Sequence, residues 1–306
     1  MANEFDIFNL SAKDLKADEG TKKSGSDLYT PKADQGKDGV YRALIRFLPN
    51  LKNPRKPMVR KYIYWLDDPT TGKGFFADSP STVGERCPVQ DMFFKLRNSE
   101  SAVDKKMSEA LKRREVHYGL VQIVKDPQNP DLEGQIKIFK FGYKIKTKID
   151  EELNPQFDEP TQIFDPFEGK NFELVISKKG GYPSYDSCKF QGTKSAMTLN
   201  GETVTDTDES RKAIVDYLQA GPDLSNFEYQ PWDEDLRGRV MNVLSQFSSP
   251  GESIGTLTTQ TAPTTASPVA GSAATNSAPE PAPAAEAKPE VKANDDLDDF
   301  LNGLDL

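Results

Sequence analysis

The composition of residues 248–293 limits how much of this chain can fold. This run consists mostly of Pro, Ala, Thr and Ser and contains almost no large apolar side chain. Such a segment cannot bury enough apolar surface to offset the conformational entropy that ordering would cost. The sequence therefore predicts a disordered linker here, a folded core that ends near Phe247, and a separate acidic tip over residues 294–306.

Charge is segregated along the chain. The protein has 306 residues and a net charge of -9, but residues 248–306 hold nine acidic and two basic side chains, which leaves only -2 for the first 247 residues. Residues 42–62 hold seven basic side chains and no acid, and residues 105–148 hold eleven basic and five acidic ones. A nearly neutral core with two basic stretches can bind a polyanion, although the overall charge argues against one. We expect the acidic end to mimic that ligand.

Hydrophobic periodicity predicts a β-rich α+β core over residues 39–247, preceded by a polar N-terminal arm over residues 1–38. Alternation of apolar and polar residues predicts strands at 39–49, 59–68, 74–79, 117–127, 134–146 and 171–190. Helical spacing predicts one or two helices at 91–114 with a break near 98–101, and a last helix at 231–247 with one apolar stripe.

Basic and aromatic residues are interleaved on the predicted strands. Proteins that hold single strands without reading their sequence combine cations that follow the phosphates with rings on which bases stack. The phosphate candidates are Arg42, Arg46, Arg60, Lys61, Lys112, Arg113, Arg114, Lys137, Lys140, Lys144 and Lys146. The stacking candidates are Tyr62, Tyr64, Tyr118, Phe141, Tyr143, Tyr182 and Tyr185. Half-buried strands show the same alternation, so core packing is the alternative role of each ring.

Several other functions find no support in the sequence. Histidine catalysis is not expected, because His117 is the only histidine; we predict that its ring stacks on a nucleobase or lies on the surface. The GxxxxGK[ST] phosphate loop of many ATPases does not occur. Cys87 and Cys188 are the only cysteines and are expected to be free thiols. No apolar run reaches the roughly 18–20 residues of a membrane span, so we expect a cytoplasmic protein without enzymatic activity.

Six segments in order along the chain resemble the single-stranded DNA-binding proteins of T-even-type bacteriophages. They are ALIRFLP (Ala43–Pro49), RCPV (Arg86–Val89), VKDP (Val124–Pro127), KFGYKI (Lys140–Ile145), PFEGKNF (Pro166–Phe172) and GYPSYDSCKF (Gly181–Phe190). The acidic, leucine-rich terminus is similar as well. The resemblance spans about residues 36–195 and the last dozen residues, and the conjunction of segments is more specific than any one of them.

The resemblance implies an oligonucleotide/oligosaccharide-binding (OB) core with a small subdomain inserted at about residues 62–100. The strand contacts of the family would fall on Arg46, Arg113, Arg114, His117, Lys140, Lys144, Tyr182 and Tyr185. The acidic tip is expected to recruit replication and recombination proteins through Asp295, Asp296, Leu297, Asp298, Asp299, Phe300 and Leu301.

Two features depart from that family. Its inserted subdomain usually holds zinc on one His and three Cys, but here Cys87 keeps one position while Ala77 and Gln90 stand at two others. One thiolate cannot hold zinc, so we expect no metal cofactor. The family's N-terminal arm self-associates through a basic and hydroxyl motif, which only Lys22, Lys23 and Ser24 match in part.

The sequence thus predicts a sequence-independent single-stranded DNA-binding protein that coats unwound strands in viral replication, recombination and repair, in cooperative filaments. Two alternatives stay open at this point. A single-stranded RNA-binding protein would use the same rings and cations, because neither stacking nor phosphate contact identifies the sugar. An acidic adaptor whose core binds only proteins is the other.

Overall fold

The computed structural model describes residues 27–247. Its strands are β1 (Leu28–Tyr29), β2 (Tyr41–Phe47), β3 (Met58–Asp67), β4 (Gly74–Asp78), β5 (Arg114–Lys125), β6 (Ile136–Phe141), β7 (Phe172–Lys179), β8 (Tyr182–Ser184), β9 (Lys189–Phe190), β10 (Thr198–Leu199) and β11 (Glu202–Thr203). Its helices are α1 (Pro88–Arg97), α2 (Ala102–Ser108), α3 (Tyr143–Leu153), α4 (Asp208–Gln219) and α5 (Glu234–Ser245). This part of the chain confirms a β-rich α+β fold. The predictions for Lys22, Lys23 and Ser24, for the linker and for the acidic tip lie outside the described residues.

Strand β5 organises the main sheet because it pairs with three other strands. Along one edge it is antiparallel to β6, with His117 opposite Phe141. Along the other edge its first half pairs with β3 and its second half with β2. The sheet continues from β2 through β7 to β8, while β4 extends β3, β9 pairs with β7, and β1 lies parallel to β6.

The two faces of this sheet pack against different elements. On the first face, Phe47, Val121 and Phe141 form a cluster with Ile145 and Ile149 of α3. On the second face, Tyr118 and Leu120 pack with Ile214, Leu218 and Leu224, which belong to α4 and the turn that follows it. This alternation follows from the twofold side-chain period of a strand.

A third apolar cluster joins the β3–β4 hairpin to α1, α2 and α5. It contains Tyr64, Phe75 and Cys87 together with Val89 of α1 and Val240 of α5. The strands predicted at 59–68 and 74–79 are confirmed as β3 and β4, which form an antiparallel hairpin with Trp65 opposite Phe76. The apolar stripe predicted for the last helix is confirmed as well, since its Val240, Val243 and Leu244 are buried.

The predicted break between two helices is confirmed. Helix α1 ends at Arg97 and α2 begins at Ala102, with Ser101 as its N-cap. The Ser101 hydroxyl accepts a hydrogen bond from the Asp104 backbone N–H, which satisfies one of the free donors at the start of the helix.

The strand predicted for residues 134–146 is wrong in its second half. Strand β6 ends at Phe141, Gly142 is extended, and α3 begins at Tyr143. Ile145 and Ile149 are both buried and lie four residues apart. This spacing places them on one face of a helix, one turn from each other. Lys144 and Lys146 therefore project from a helix and not from the strand that carries Lys140.

The end of the predicted N-terminal arm belongs to the folded core. Leu28 and Tyr29 pair with β6, and Tyr29 is almost fully buried. The hydroxyls of Tyr29 and Tyr41 both donate hydrogen bonds to the buried Asp126, at 2.8 and 2.5 Å. These contacts fix the point at which the chain enters the core.

Candidate nucleic-acid interface

Two arginines flank one tyrosine at the edge of the first face. The register of β3 and β5 places Arg60 opposite His117 and Tyr62 opposite Glu115, so both side chains point to that face. The guanidinium of Arg113 lies 4.0 Å from the centroid of the Tyr62 ring, and that of Arg60 lies 5.4 Å from it. Because Arg60 is 57% exposed, it can reach a phosphate without rearrangement of the core.

Arg113 also connects this edge to α1 and to the segment that precedes it. Its Nη1 donates to Ser81 Oγ at 2.8 Å and to Gln90 Oε1 at 3.1 Å. Gln90 lies in the first turn of α1, where the resemblance had placed a lost zinc ligand. The side chain at this position therefore orients an arginine.

Helix α3 and the β7–β8 hairpin supply further cations and rings. Lys144 Nζ lies 3.3 Å and Lys179 Nζ 3.9 Å from the carboxylate of Asp186. Two tyrosines near these cations are well exposed, Tyr143 at 56% and Tyr182 at 42%. The hairpin turns at Gly180 and Gly181, which both have positive φ and so suit glycine.

His117 is influenced by the charges of both groups. Burial lowers the pKa of His117 to about 4, and the positive charges of Lys146 and Arg60 lower it further, while Asp150 opposes them. Lys146 also forms an ion pair with Asp150 at 2.5 Å. Cations of both α3 and β3 are therefore near enough to His117 to lower its pKa.

We name this surface the cationic strip. Its members are Arg60, Tyr62, Arg113, Tyr143, Lys144, Lys146, Lys179 and Tyr182. The carboxylates of Glu115, Asp150 and Asp186 lie within 4.0 Å of Arg60, Lys146 and Lys144 respectively. The strip thus combines cations with exposed rings, which is what single-strand binding requires. Lys179 was not predicted, although its position directly before the GGY turn was a usable signal.

The predicted surface position of His117 is wrong. The side chain is buried, and its ring stacks on Phe141 with centroids 5.5 Å apart and planes at 15°. Nε2 lies 3.3 Å from Glu115 Oε1. Since Phe141 and Tyr64 are also buried, these three rings pack in the core and offer no face to a nucleobase.

Arg46 is also buried, although it was predicted to contact phosphate. Its Nη1 donates to the Ser195 carbonyl and its Nη2 to the Asp165 carbonyl, each at 2.7 Å. Burial lowers the pKa of Arg46 to about 10, while the charge of Asp165 raises it. Arg46 therefore holds two loops against β2. Tyr185, a predicted stacking residue, is also buried and belongs to the first-face cluster.

A second set of predicted contacts lies on the second face. Lys61, Arg114, Tyr118 and Lys140 share this face by strand register, with Tyr118 directly opposite Lys140. We name Lys61, Arg114 and Lys140 the cation pocket. Tyr118 is buried beneath Phe227, with ring centroids 4.8 Å apart. Its ring therefore packs against another protein ring and not against a nucleobase.

The remaining predicted cations make none of the contacts that define these two groups. Arg42 is exposed on β2, Lys112 lies 4.0 Å from Glu109, and Lys137 is partly exposed opposite Val121. Among residues 27–247, no three His, Cys, Asp or Glu side chains are grouped so that they could hold a metal ion. No helix in the same range is long and apolar enough to cross a membrane.

The buried histidine gives a testable pH dependence. Its pKa is about 4 in the folded state and about 6.5 when unfolded. As the pH falls, the unfolded state takes up this proton at a higher pH than the folded state does. The free energy of unfolding is therefore at its full value above pH ~6.5 and decreases as the pH falls to ~4. We expect the difference in unfolding free energy between the wild type and His117→Gln to shrink by about 3 kcal/mol from pH 7.5 to 4. Urea denaturation at several pH values measures it, and a pH-independent difference would contradict the prediction.

Comparison with known proteins identifies the family. A family model described as "gp32 DNA binding protein like" matches residues 37–230, which is more than half of the chain. The chain belongs to this family. The matched range contains the entire cationic strip and the entire cation pocket, and it confirms the family expected from the sequence.

Two relatives of the gp32-like protein are bacteriophage proteins. The chain is 27% identical over 194 residues to the "Single-stranded DNA-binding protein" of Enterobacteria phage T4, covering 62% of each protein. It is 28% identical over 170 residues to the protein of the same name from Enterobacteria phage T2, covering 54% of this chain and 55% of the relative. The chain therefore matches less than two thirds of the length of either relative.

Proposed function

We propose that the protein binds single-stranded DNA without sequence preference and coats unwound strands during viral DNA replication, recombination and repair. The observation that carries the proposal is the cationic strip, which combines cations with the exposed rings of Tyr143 and Tyr182. The relatives named single-stranded DNA-binding protein support the same choice of ligand.

The mechanism combines electrostatic capture with stacking. Cations of the strip follow the phosphates, whose contacts carry no sequence information. Exposed rings such as Tyr143 and Tyr182 stack on bases, and every base has a face for that contact. Since the protein binds unpaired strands better than duplex, mass action lowers duplex stability, and no catalytic step is needed.

Titration with oligo(dT) tests the proposal directly. Tryptophan and tyrosine fluorescence is followed at two salt concentrations, with a duplex and a matched RNA oligonucleotide as competitors. Tight, salt-dependent binding of the DNA strand supports the proposal. Stronger binding of the RNA would favour the RNA-binding alternative, and no binding of either strand would favour the protein adaptor.

We also infer an OB-type arrangement for β2, β3, β5, β6 and β7. The support is a strongly connected antiparallel sheet, with α3 packed on the same apolar cluster as the first face. The β3–β4 hairpin, α1 and α2, which share the third cluster, correspond to the expected inserted subdomain.

A zinc ion does not fit the residues of this subdomain. Cys87 is buried, and its Sγ lies 3.4 Å from the Tyr64 hydroxyl, which in turn is 3.4 Å from Ser79 Oγ. Ala77 is buried in the same cluster and offers no ligand atom. We therefore propose that apolar packing and these hydrogen bonds stabilise the subdomain without a metal cofactor.

Metal removal should leave this protein unchanged. Prolonged dialysis against EDTA is expected to shift the melting temperature by less than about 1 °C, because no ligand set contributes to folding energy. Calorimetry before and after dialysis, together with metal analysis, checks this. One tightly bound zinc per chain and a large drop in melting temperature would contradict it.

The segments outside residues 27–247 are proposed to supply partners. Lys22, Lys23 and Ser24 are proposed to contact a neighbouring copy on the strand. The acidic tip, through residues 295–301, is proposed to recruit replication and recombination proteins in the cytoplasm of the host cell. In the absence of DNA the tip occupies the cationic surface of the core as a mimic of the polyanion.

Deleting Asp295–Leu306 tests that competition. The truncated chain should bind oligo(dT) more tightly and with a steeper salt dependence. In the full-length chain salt also weakens the competing contact between the tip and the core, which partly offsets the loss of DNA affinity. Salt titrations of both chains measure the effect. A matched control replaces Asp295, Asp296, Asp298 and Asp299 with asparagine in the full-length chain. If both variants bind like the wild type, the tip does not compete.

A further inference from the structure

Asp186 places a carboxylate next to two cations of the cationic strip. Its Oδ1 lies 3.3 Å from Lys144 Nζ on α3, and its Oδ2 lies 3.9 Å from Lys179 Nζ at the end of β7. One side chain therefore contacts cations of two separate elements, each through a different oxygen. Because a phosphate also presents several acceptor oxygens, a phosphate bound to both lysines would take the position of this carboxylate.

The backbone around Asp186 holds the carboxylate in place. Asp186 lies in the turn between β8 and β9, where the Cys188 backbone N–H donates to the Tyr185 carbonyl at 3.1 Å. Tyr185 and Cys188 are both buried, so the turn is anchored to the core. The Asp186 side chain itself is 52% exposed. The carboxylate is therefore fixed by its backbone and still open to solvent.

The lysines can change partner more easily than the turn can move. The side chain of Lys179 is 83% exposed, and a lysine carries its ammonium group on a flexible four-carbon chain. An exposed ion pair contributes little free energy, because water screens the attraction and ordering the side chains costs entropy. A phosphate can therefore replace the carboxylate as the partner of these ammonium groups without a change in the core.

Asp186 is negatively charged under ordinary conditions. A hydrogen bond with the Ser184 side chain lowers the pKa of Asp186, and Lys144 and Lys179 lower it further, although burial opposes these effects. The carboxyl group is consequently ionised at neutral pH. An ionised carboxylate repels a phosphate that approaches the same two lysines.

We propose that Asp186 is an internal competitor of the strand phosphates, which pairs with Lys144 and Lys179 in the free protein and loses both partners when a strand binds. The inference rests on the proposed function and adds to it a residue that sets the affinity. Since affinity differences among variants of one interface lie mostly in the dissociation rate, the competitor should chiefly speed release of the strand.

Asp186→Asn tests the competition in the full-length chain, with Asp34→Asn as the matched control. Asp34 lies 2.6 Å from Lys178, the residue before Lys179, in another exposed ion pair, so both variants change the net charge equally. Asp186→Asn should bind oligo(dT) roughly fivefold more tightly, with slower dissociation. Its salt dependence should be steeper, because salt no longer weakens a competing ion pair. Asp34→Asn should bind within about twofold of the wild type.

The direction of the change separates competition from a structural role. If Asp186 instead positioned the two lysines for the strand, Asp186→Asn would bind more weakly, and this result overturns the proposal. Equal affinities of Asp186→Asn and Asp34→Asn overturn it as well. Asp186→Ser removes the carboxylate in a second way and should show the same gain. Melting temperatures of all variants establish that each is folded.

Inorganic polyphosphate distinguishes failure of this inference from failure of the proposed function. It carries phosphates without bases or sugars, so it tests the competition for the lysines independently of DNA. Tighter polyphosphate binding by Asp186→Asn than by Asp34→Asn, with no binding of oligo(dT) by the wild type, would reject the proposed function and keep the competitor. Binding of oligo(dT) by the wild type, with no gain from Asp186→Asn for either polyanion, would reject the competitor alone.

Discussion

Replacing Arg46 with methionine should lower the free energy of unfolding by about 3 kcal/mol. The side chain is fully buried, and its guanidinium donates hydrogen bonds to the carbonyls of Asp165 and Ser195. Methionine fills much of the volume but removes the donor from the Ser195 carbonyl, while the Asp165 carbonyl keeps the Gly169 backbone N–H at 3.1 Å. The loss of these charge-assisted hydrogen bonds from a buried position costs roughly 1–3 kcal/mol each. Denaturant unfolding followed by fluorescence measures the loss.

Arg42→Met is the matched control for this substitution. Arg42 lies on the same strand, is exposed, and should change stability by less than about 0.5 kcal/mol. Arg46→Lys adds a second comparison, because it keeps the charge but cannot hold both loops with one planar group. If Arg46→Lys is as stable as the wild type and instead lowers the salt slope for oligo(dT), Arg46 contacts phosphate and its structural role is refuted.

The secondary structure was largely predictable because its signals are local. In strands β2, β3 and β5 and in helix α5, the spacing of apolar residues within the element itself is enough to indicate its type. The α3 helix was missed because Lys140–Lys146 alternates Lys with apolar residues in a way that fits a strand. Its helical period becomes visible only when Ile149 is included, one turn beyond Ile145.

The positions of site residues were less predictable because burial depends on distant parts of the chain. The acceptors for Arg46 lie 119 and 149 residues away in sequence, and no local pattern reveals them. His117 and Tyr118 occupy opposite faces of one strand, yet both are buried, because α3 covers one face and the turn containing Phe227 covers the other. Interleaved cations and rings predicted the kind of ligand surface. This pattern did not indicate which of the cations and rings lie on the same face of the sheet.

Removing three cations of the strip together should produce the largest loss of binding. The variant replaces Arg60, Lys144 and Lys146 with glutamine, which keeps polar side chains of similar length. Each cation that follows a phosphate contributes about 0.7 to the slope of log affinity against log salt, so the slope should fall by about 2. Affinity for oligo(dT) near 0.1 M salt should fall roughly 100-fold, as expected for three contacts of about 1 kcal/mol each.

A triple variant with the same change in net charge separates the strip from a general electrostatic effect. Lys105, Lys106 and Lys212 are exposed cations on α2 and α4 and make none of the contacts that define the strip. Replacing them with glutamine should change affinity less than tenfold, because salt screens the effect of exposed charges that do not contact the bound strand. The strip variant should also raise the pKa of His117, since Lys146 and Arg60 are the cations that lower it. If both triple variants lose affinity equally while only the strip variant shifts that pKa, the strip surrounds the histidine but does not bind the strand.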